Sequence, residues 1–257
     1  MITGMMDKNS NVEKVLAKHK IKEINIKKAI ELGIPTSEIH RLINWAKMNN
    51  TYYYIKQGRG LNEFLGEIIA NELNLKTAHY EPVDYYGDFY IRTPNFREKN
   101  KTYHRISEFT TQEGDKLDYF KEFKTYEQLK QDMLKLYALD IYMMQLDRAD
   151  VNIQLEKKDD SLRLAPVFDY SAAYMCSHKR YLEYYNYMYS MNIEKMDEVF
   201  NKYPELYNYL KQLDNVDFLK LLKQEMEKYK LNFTSTINNF YEESFSESHK
   251  LLQKIMI

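Results

Sequence analysis

Cysteine is almost missing from this chain of 257 residues, where Cys176 stands alone. An internal disulfide framework is thereby excluded, and a reducing compartment suits the composition. Glycine (7) and proline (5) are scarce as well, and neither a Walker-type phosphate loop nor a Rossmann glycine pattern exists. Apolar runs stop well short of the roughly 18 residues that a membrane span requires. Met1–Ser10 lacks the apolar core of a signal peptide. The expectation is a soluble, cytoplasmic protein, with secretion by a signal-independent route leaving no mark in the sequence. The histidines at 19, 40, 79, 104, 178 and 249 lack the spacing of zinc ligands. Net charge is only −1, but residues 1–60 carry 11 Lys and Arg against 5 Asp and Glu. Such a basic front suits nucleic acid or an acidic partner, and equally suits a solvated helix face.

Tyrosine is plentiful instead, with 24 copies clustered at 52–54, 85–90 and 181–189. These read as amphipathic aromatics at strand faces and helix boundaries, with stacking on bases as the weaker alternative. Residues 1–10 are expected to be disordered. Val12–Met48 reads as helical, interrupted at Gly33–Ile34–Pro35–Thr36. A strand is expected over Tyr52–Gln57, a turn at Gly58–Arg59–Gly60 and an amphipathic helix over Asn62–Leu75. Further strands are expected near Tyr80–Val83, Asp88–Thr93 and Tyr103–Phe109, then a long helix over Tyr126–Met144. After Ala173 the pattern is helical to the end, with a break near Pro204. This gives three expected segments: 1–48 helical, 49–110 a small mixed lobe, and 111–257 a larger helical lobe.

Two stretches carry chemistry, LDRADVNI at 146–153 and RLAPVFDYSAAY at 163–174. Asp147 and Asn152 lie five positions apart, and Asp169 follows Asp147 by 22 residues. Between them, NIQLEKK and SLRLAPVF alternate about Asp159–Asp160 and predict a β-hairpin that returns Asp169 toward Asn152. That order matches a phosphoryl-transfer site, in which one carboxylate orients the attacking hydroxyl while an amide and a second carboxylate hold Mg²⁺. Asp147 follows the apolar helix end Tyr142–Met143–Met144, where a capping role is the plain alternative. Asp169 closes an apolar run, a place where an unpaired carboxylate is costly and a metal or backbone cap resolves the cost. Arg148 reads as a brace, holding its loop through an acidic neighbour. Lys56 ends an apolar strand, from which a point cation suits phosphate oxygens; the plain alternative is an edge-strand lysine. Glu63 and Glu67 share a helix face, and either could pair with Lys56.

In these strings the chain resembles the HipA-like serine/threonine kinases. APVFDYSAAY is similar to that family's magnesium-aspartate segment and DRADVN to its catalytic loop. YYYIKQ followed by NEFLGEIIANELNL is similar to its nucleotide-lysine strand and the next helix. The likeness runs from about Tyr52 to Tyr174. It implies an α+β, two-lobed protein-kinase-like fold using ATP and Mg²⁺ to phosphorylate a protein Ser/Thr hydroxyl. Asp147 would be the catalytic aspartate and Asn152 and Asp169 the magnesium ligands. Lys56 would contact nucleotide phosphates, with Glu63 holding it. Ser107, Glu108 and Phe109 fall where the family's adenine hinge lies, and an antitoxin-like partner is compatible with the likeness. Three departures stand out. Met144–Gln145–Leu146 replaces a Gly-Asn-Thr lead-in, and Ala149 stands where the family has His. Only about four residues separate the helical reading ending near Met48 from the Lys56 strand, too few for the usual phosphate-covering hairpin.

A second pattern is of another class. Lys28–Trp45, KAIELGIPTSEIHRLINW, fits a helix-turn-helix: Ala29 lets helices cross closely, Gly33 permits the turn, and Ile39 and Leu42 seat the second helix. DNA contact through residues 28–45 would rest on His40, Arg41, Asn44 and Lys47; plain helix packing or partner docking is the stronger reading. Three alternatives to a protein kinase therefore stay open. They are a pseudokinase, a DNA-binding regulator with a degenerate kinase body, and a small-molecule phosphotransferase.

Overall fold

The computed structural model of the protein describes residues 22–23, 45–48, 51–57, 60–85, 88–109, 116–148, 152–189 and 196–256. Two compact units emerge, Met1–Leu61 with His79–Lys99, and Asn62–Ala78 with Asn100–Ile257.

The first unit is built on a sheet of order β1-β2-β3-β5-β4. Its strands are β1 (Lys22–Glu23), β2 (Trp45–Met48), β3 (Thr51–Gln57), β4 (Glu81–Tyr85) and β5 (Asp88–Pro94), and every pairing is antiparallel. Central β3, TYYYIKQ, is rich in the aromatic and β-branched residues that suit a pleated surface. Tyr85 pairs with Asp88, which leaves Tyr86–Gly87 as a two-residue connection, where the sequence predicts a turn. The helical reading of Trp45–Met48 is corrected: these residues form β2, with Met48 opposite Thr51 and Trp45 opposite Tyr54. Pairing with the strongly β-prone run on the far side of Asn49–Asn50 outweighs the helical spacing carried over from upstream. Lys56 lies on the second strand of this hairpin, and residues 24–44, ahead of β2, lie outside the described residues. Of the helix-turn-helix pattern, Trp45 falls in β2, and residues 28–44 lie outside the described residues.

The second unit combines a three-stranded sheet with most of the helices. The sheet has order β6-β7-β8, from β6 (Thr102–Arg105), β7 (Gln154–Lys158) and β8 (Ser161–Leu164). The predicted hairpin is present, with Lys158 opposite Ser161 and Asp159 in the left-handed region at φ 53°. Aspartate tolerates that conformation better than most residues, so Asp159–Asp160 makes a tight turn. Helix α1 (Gly60–Glu72) runs into this unit from Asn62 onward, and α2 (Tyr126–Tyr142) is its central helix. The others are α3 (His178–Tyr189), α4 (Met196–Lys202), α5 (Pro204–Asp214), α6 (Phe218–Lys228) and α7 (Ser235–Ile255). Pro204 opens α5 at a position where its missing N–H costs nothing. The Asp217 side chain caps α6, and the Thr234 side chain caps α7.

Helix α2 packs against β8, α5 and α7. Its second half, from Leu136 to Tyr142, is wholly buried, and Leu129, Met133 and Leu134 join it from the first half. Each such leucine or methionine is worth up to about 1.5–3 kcal/mol. The helix start is fixed to the sheet: Thr125 Oγ1 donates to Leu162 O and accepts from Leu162 N. Because α2 is clamped there and buried at its far end, the loop leaving Tyr142 starts from a rigid point.

Candidate active site

That loop is anchored by a buried ion pair. Asp140 and Arg148 both have fully buried side chains. Arg148 Nε donates to Asp140 Oδ2 at 3.0 Å and Nη2 donates to Oδ1 at 3.2 Å. Its Nη1 donates to the Phe168 carbonyl, and the guanidinium lies 5.3 Å over the Tyr170 ring. Tyr181 Oη donates to the Asp140 carbonyl at 3.1 Å. A buried charge without a partner costs several kcal/mol, so this fork fixes the backbone it touches. The reading of Arg148 as a brace matches this arrangement.

A second tie lies on the other side of Asp147. Gln145 Nε2 donates to the Asp169 carbonyl at 2.7 Å, with the glutamine 1% exposed. Gln145 and Arg148 thus bind the loop to residues 169 and 168, with Asp147 between them. The Asp147 side chain itself is exposed. Asn152 is buried and its Nδ2 donates to the Asp147 carbonyl at 2.9 Å. Spending the NH₂ on that carbonyl fixes which way the amide faces, leaving Oδ1 as an acceptor directed elsewhere.

Asp169 sits in the left-handed region at φ 64°, its Oδ1 accepting from Ser171 Oγ at 2.9 Å. The next residue is held from helix α1, where buried Glu63 accepts the Tyr170 N–H at 2.8 Å. Tyr170 is fully buried, and its hydroxyl lies 2.8 Å from Thr77 Oγ1. Burial keeps the phenol well above its ordinary range, so it stays protonated. Its ring fills the space beside Gly66 in α1: a Cβ there would come within 2.8 Å of Cδ1 and closer still to Cγ and Cδ2. Glycine in mid-helix costs about 1 kcal/mol relative to alanine, and this close approach is what it permits. Farther along, Asn62 Nδ2 donates to Ala173 O at 2.9 Å while its Oδ1 accepts from Tyr241 Oη at 2.7 Å. Side chains from α1 and the loop after α2 thus hold the Phe168–Ala173 turn, with Tyr241 of α7 acting on it through Asn62.

Among the remaining expected residues, Ser107 and Glu108 are exposed and Phe109 is half-buried. The strand expected over Tyr103–Phe109 ends at Arg105 and gives way to a 3₁₀ turn, Ile106–Glu108. Glu108 causes this by folding back, its Oε1 accepting from Arg105 N at 2.9 Å while Oε2 meets His104 Nδ1 at 3.0 Å. The Arg105 N–H first, and then His104, hold the Glu108 carboxyl below its usual range. Ile106 N donates to Ile153 O at 3.0 Å, which places this turn beside the residue that follows Asn152. Lys56 lies in β3 opposite Ile91, with its side chain outside the described part; Ala149 also falls outside.

Asp147, Asn152 and Asp169 are therefore brought into one bonded assembly in the second unit. Among the described residues no group of three or more His, Cys, Asp or Glu gathers as a metal site. The expected set, one carboxylate and one amide oxygen, is of another kind, and hard oxygens of this sort suit Mg²⁺. Sequence reasoning missed Asp140, Gln145 and Tyr170 and the reason for Gly66. Two signals were available: an aspartate inside the apolar run YALDIYMM, and a glycine inside the otherwise strong helix former NEFLGEIIANE.

No protein-family model matches the chain, and no curated protein matches it. Solved structures do. A chain of the Shewanella oneidensis MR-1 toxin–antitoxin system HipA, HipB and operator DNA complex superposes with a TM-score of 0.62 at 11% identity, covering 99% of this chain and 74% of that one. The Helicobacter pylori proinflammatory kinase CtkA superposes with a TM-score of 0.48 at 14% identity, over 83% of this chain and 94% of that one. At such identities the likeness is one of fold alone, shared with the chain of the HipA complex.

Proposed function

We propose that the chain is an ATP- and Mg²⁺-dependent phosphotransferase of the HipA-like protein serine/threonine kinase type. One observation carries this reading: an exposed aspartate, Asp147, sits on a loop pinned on both sides to the turn that presents Asp169. Phosphoryl transfer asks little covalent chemistry of a protein and much positioning, and this assembly supplies positioning. In the proposed mechanism Asp147 accepts a hydrogen bond from the acceptor hydroxyl and orients it toward the γ-phosphorus. Asn152 Oδ1 and the Asp169 carboxylate would hold Mg²⁺, which when bound neutralises charge on the phosphate oxygens. Lys56 is assigned to the nucleotide phosphates and Glu63 to holding Lys56. Ser107–Phe109 is assigned to the adenine. Glu108 already spends its carboxylate on Arg105 and His104, so backbone groups of that turn are the natural contacts for a base.

A partner of the antitoxin type is part of the proposal, since the HipA structure contains HipB and operator DNA. Direct DNA contact through residues 28–45 is the less favoured arrangement. The deciding experiment is a thermal shift with ATP and Mg²⁺, separately and together, because a ligand stabilises the folded state by mass action. A shift that needs both supports the reading, followed by labelling with γ-labelled ATP. Binding without any labelled acceptor turns the protein into a pseudokinase, and no shift at all removes the nucleotide site.

A further inference from the structure

The peptide unit between Asp169 and Tyr170 is gripped at both edges. Its carbonyl accepts from Gln145 Nε2 at 2.7 Å, and its N–H donates to Glu63 Oε2 at 2.8 Å. Both side chains are buried, each 1% exposed, and they arrive from different elements, Glu63 from α1 and Gln145 from the loop after α2. The two grips differ in chemistry. A carboxylate only accepts, whereas a carboxamide has an acceptor at one end and donors at the other. Gln145 Oε1, that other end, is buried and has no hydrogen-bond partner among the described residues. A reversed peptide would therefore still fit Gln145, since turning the amide over breaks no second bond. At Glu63 it would not fit, because its carbonyl oxygen would meet carboxylate oxygens, acceptor against acceptor, away from water. Reversal also bears on Asp169 itself. From φ 64° the turned ψ leads into territory held almost only by glycine, so the aspartate would have to leave the left-handed region and re-aim its side chain.

Resting on the kinase reading for its metal, we infer that Glu63 is a positioning residue for Asp169. Its carboxylate, with Gln145 opposite, admits only the peptide orientation that presents Asp169 to Mg²⁺. Two effects oppose each other. A left-handed φ is uphill for aspartate, which favours release of the turn. The bond from the Tyr170 N–H to a carboxylate is roughly twice as strong as one to a neutral acceptor, which favours the observed state. Glutamine at position 63 would weaken that bond and would also donate to a reversed carbonyl, so the acceptor-only character of Glu63 decides the orientation.

The test uses the full chain in four proteins: the parent, Glu63→Gln, Gln145→Glu and the double swap that combines them. Amide hydrogen exchange over residues 168–173 and melting temperature are read without ligand. The Mg²⁺ half-point is then read from melting temperature at saturating ATP. Glu63→Gln should speed ligand-free exchange of this segment and raise the half-point about 10-fold or more. Gln145→Glu should lower the melting temperature, because two carboxylates then compete for one N–H and the carbonyl loses its donor. The double swap restores the polarity in reverse. It should recover most of that melting temperature without recovering the half-point. A Glu63→Gln protein with the parent's exchange overturns the inference; a half-point raised in that case assigns Glu63 to Lys56 alone. A double swap no more stable than Gln145→Glu overturns it as well. A parent with no Mg²⁺-dependent ATP shift removes the kinase reading and the metal consequence with it, while ligand-free exchange and the swap still confirm or refute the hold on the peptide.

Discussion

Replacing Gly66 by alanine tests the packing that presents Asp169. Taken alone, the change should help, since alanine in mid-helix is favoured over glycine by about 1 kcal/mol. The surroundings reverse the sign. The new Cβ would lie 2.8 Å from Tyr170 Cδ1, with Cγ and Cδ2 closer still. Carbon atoms rest at about 3.5–4.0 Å, so the ring would have to retreat by more than about 1 Å. It has nowhere to go. The guanidinium of Arg148 covers one side at 5.3 Å, and the hydroxyl is bonded to Thr77 at 2.8 Å. Overpacking of this kind costs about 1–3 kcal/mol, and losing the Thr77 bond adds about 1 kcal/mol. After the helix gain is subtracted, a net loss of about 1–3 kcal/mol remains, or roughly 2–12 °C in melting temperature for a chain of this size. Thermal and urea unfolding of Gly66→Ala read it directly. A second readout follows from the geometry: the Tyr170 N–H that Glu63 accepts would shift with the ring, so Mg²⁺-dependent ATP binding should weaken too. In a Tyr170→Leu background the penalty of the alanine should shrink or change sign. A Gly66→Ala protein more stable than the parent would refute the reasoning outright.

Three further outcomes are expected. Asp169→Asn should lose Mg²⁺-dependent nucleotide binding together with turnover, whereas Asp147→Asn should keep binding and lose phosphoryl transfer; equal labelling of both variants and the parent removes the assignment. Arg148→Met should destabilise by about 3–5 kcal/mol by stranding the Asp140 charge, and the double change with Asp140→Leu should cost less than that single change, which urea unfolding would show or deny. Lys250 first, and then the ring and N–H of His178, hold the Glu247 carboxyl down to about 2. A depressed carboxyl contributes its stability above the unfolded value of roughly 4.3 and loses it as pH falls toward the folded value. The melting-temperature gap between the parent and Glu247→Gln should therefore close between about pH 5 and pH 2, and a gap constant with pH would exclude the linkage.

Much of the second unit could be read in advance because its signals are local. Alternation about Asp159–Asp160 predicts the β7–β8 hairpin, and the apolar spacing of 126–144 predicts α2, which ends at Tyr142. The errors share a different cause. Trp45–Met48 becomes a strand because β3 lies across a two-residue connection, and the strand expected through Phe109 stops at Arg105 because Glu108 reaches back to its N–H. In both places a partner decides the conformation, and periodicity within the segment does not contain it. The site divides in the same way. Asp147, Asn152 and Asp169 are visible as residue types in order, while their supports come from distant positions. Glu63 meets Tyr170 across 107 residues and Asn62 meets Tyr241 across 179, and no spacing rule encodes those meetings.

The lead-in to Asp147 shows how a residue other than glycine is held in the left-handed region. Met144 takes φ 47°, a conformation that glycine adopts freely and that costs another residue about 1–2 kcal/mol. Its side chain is almost fully buried, at 1% exposure, and burying a methionine returns about 1.5–3 kcal/mol. The two terms are of the same size, so burial offsets the backbone cost of methionine here. Gln145 then reaches Asp169 O from the next position. The loop's path and the exposure of Asp147 follow from its anchors at Asp140, Phe168 and Asp169, all of which are in place.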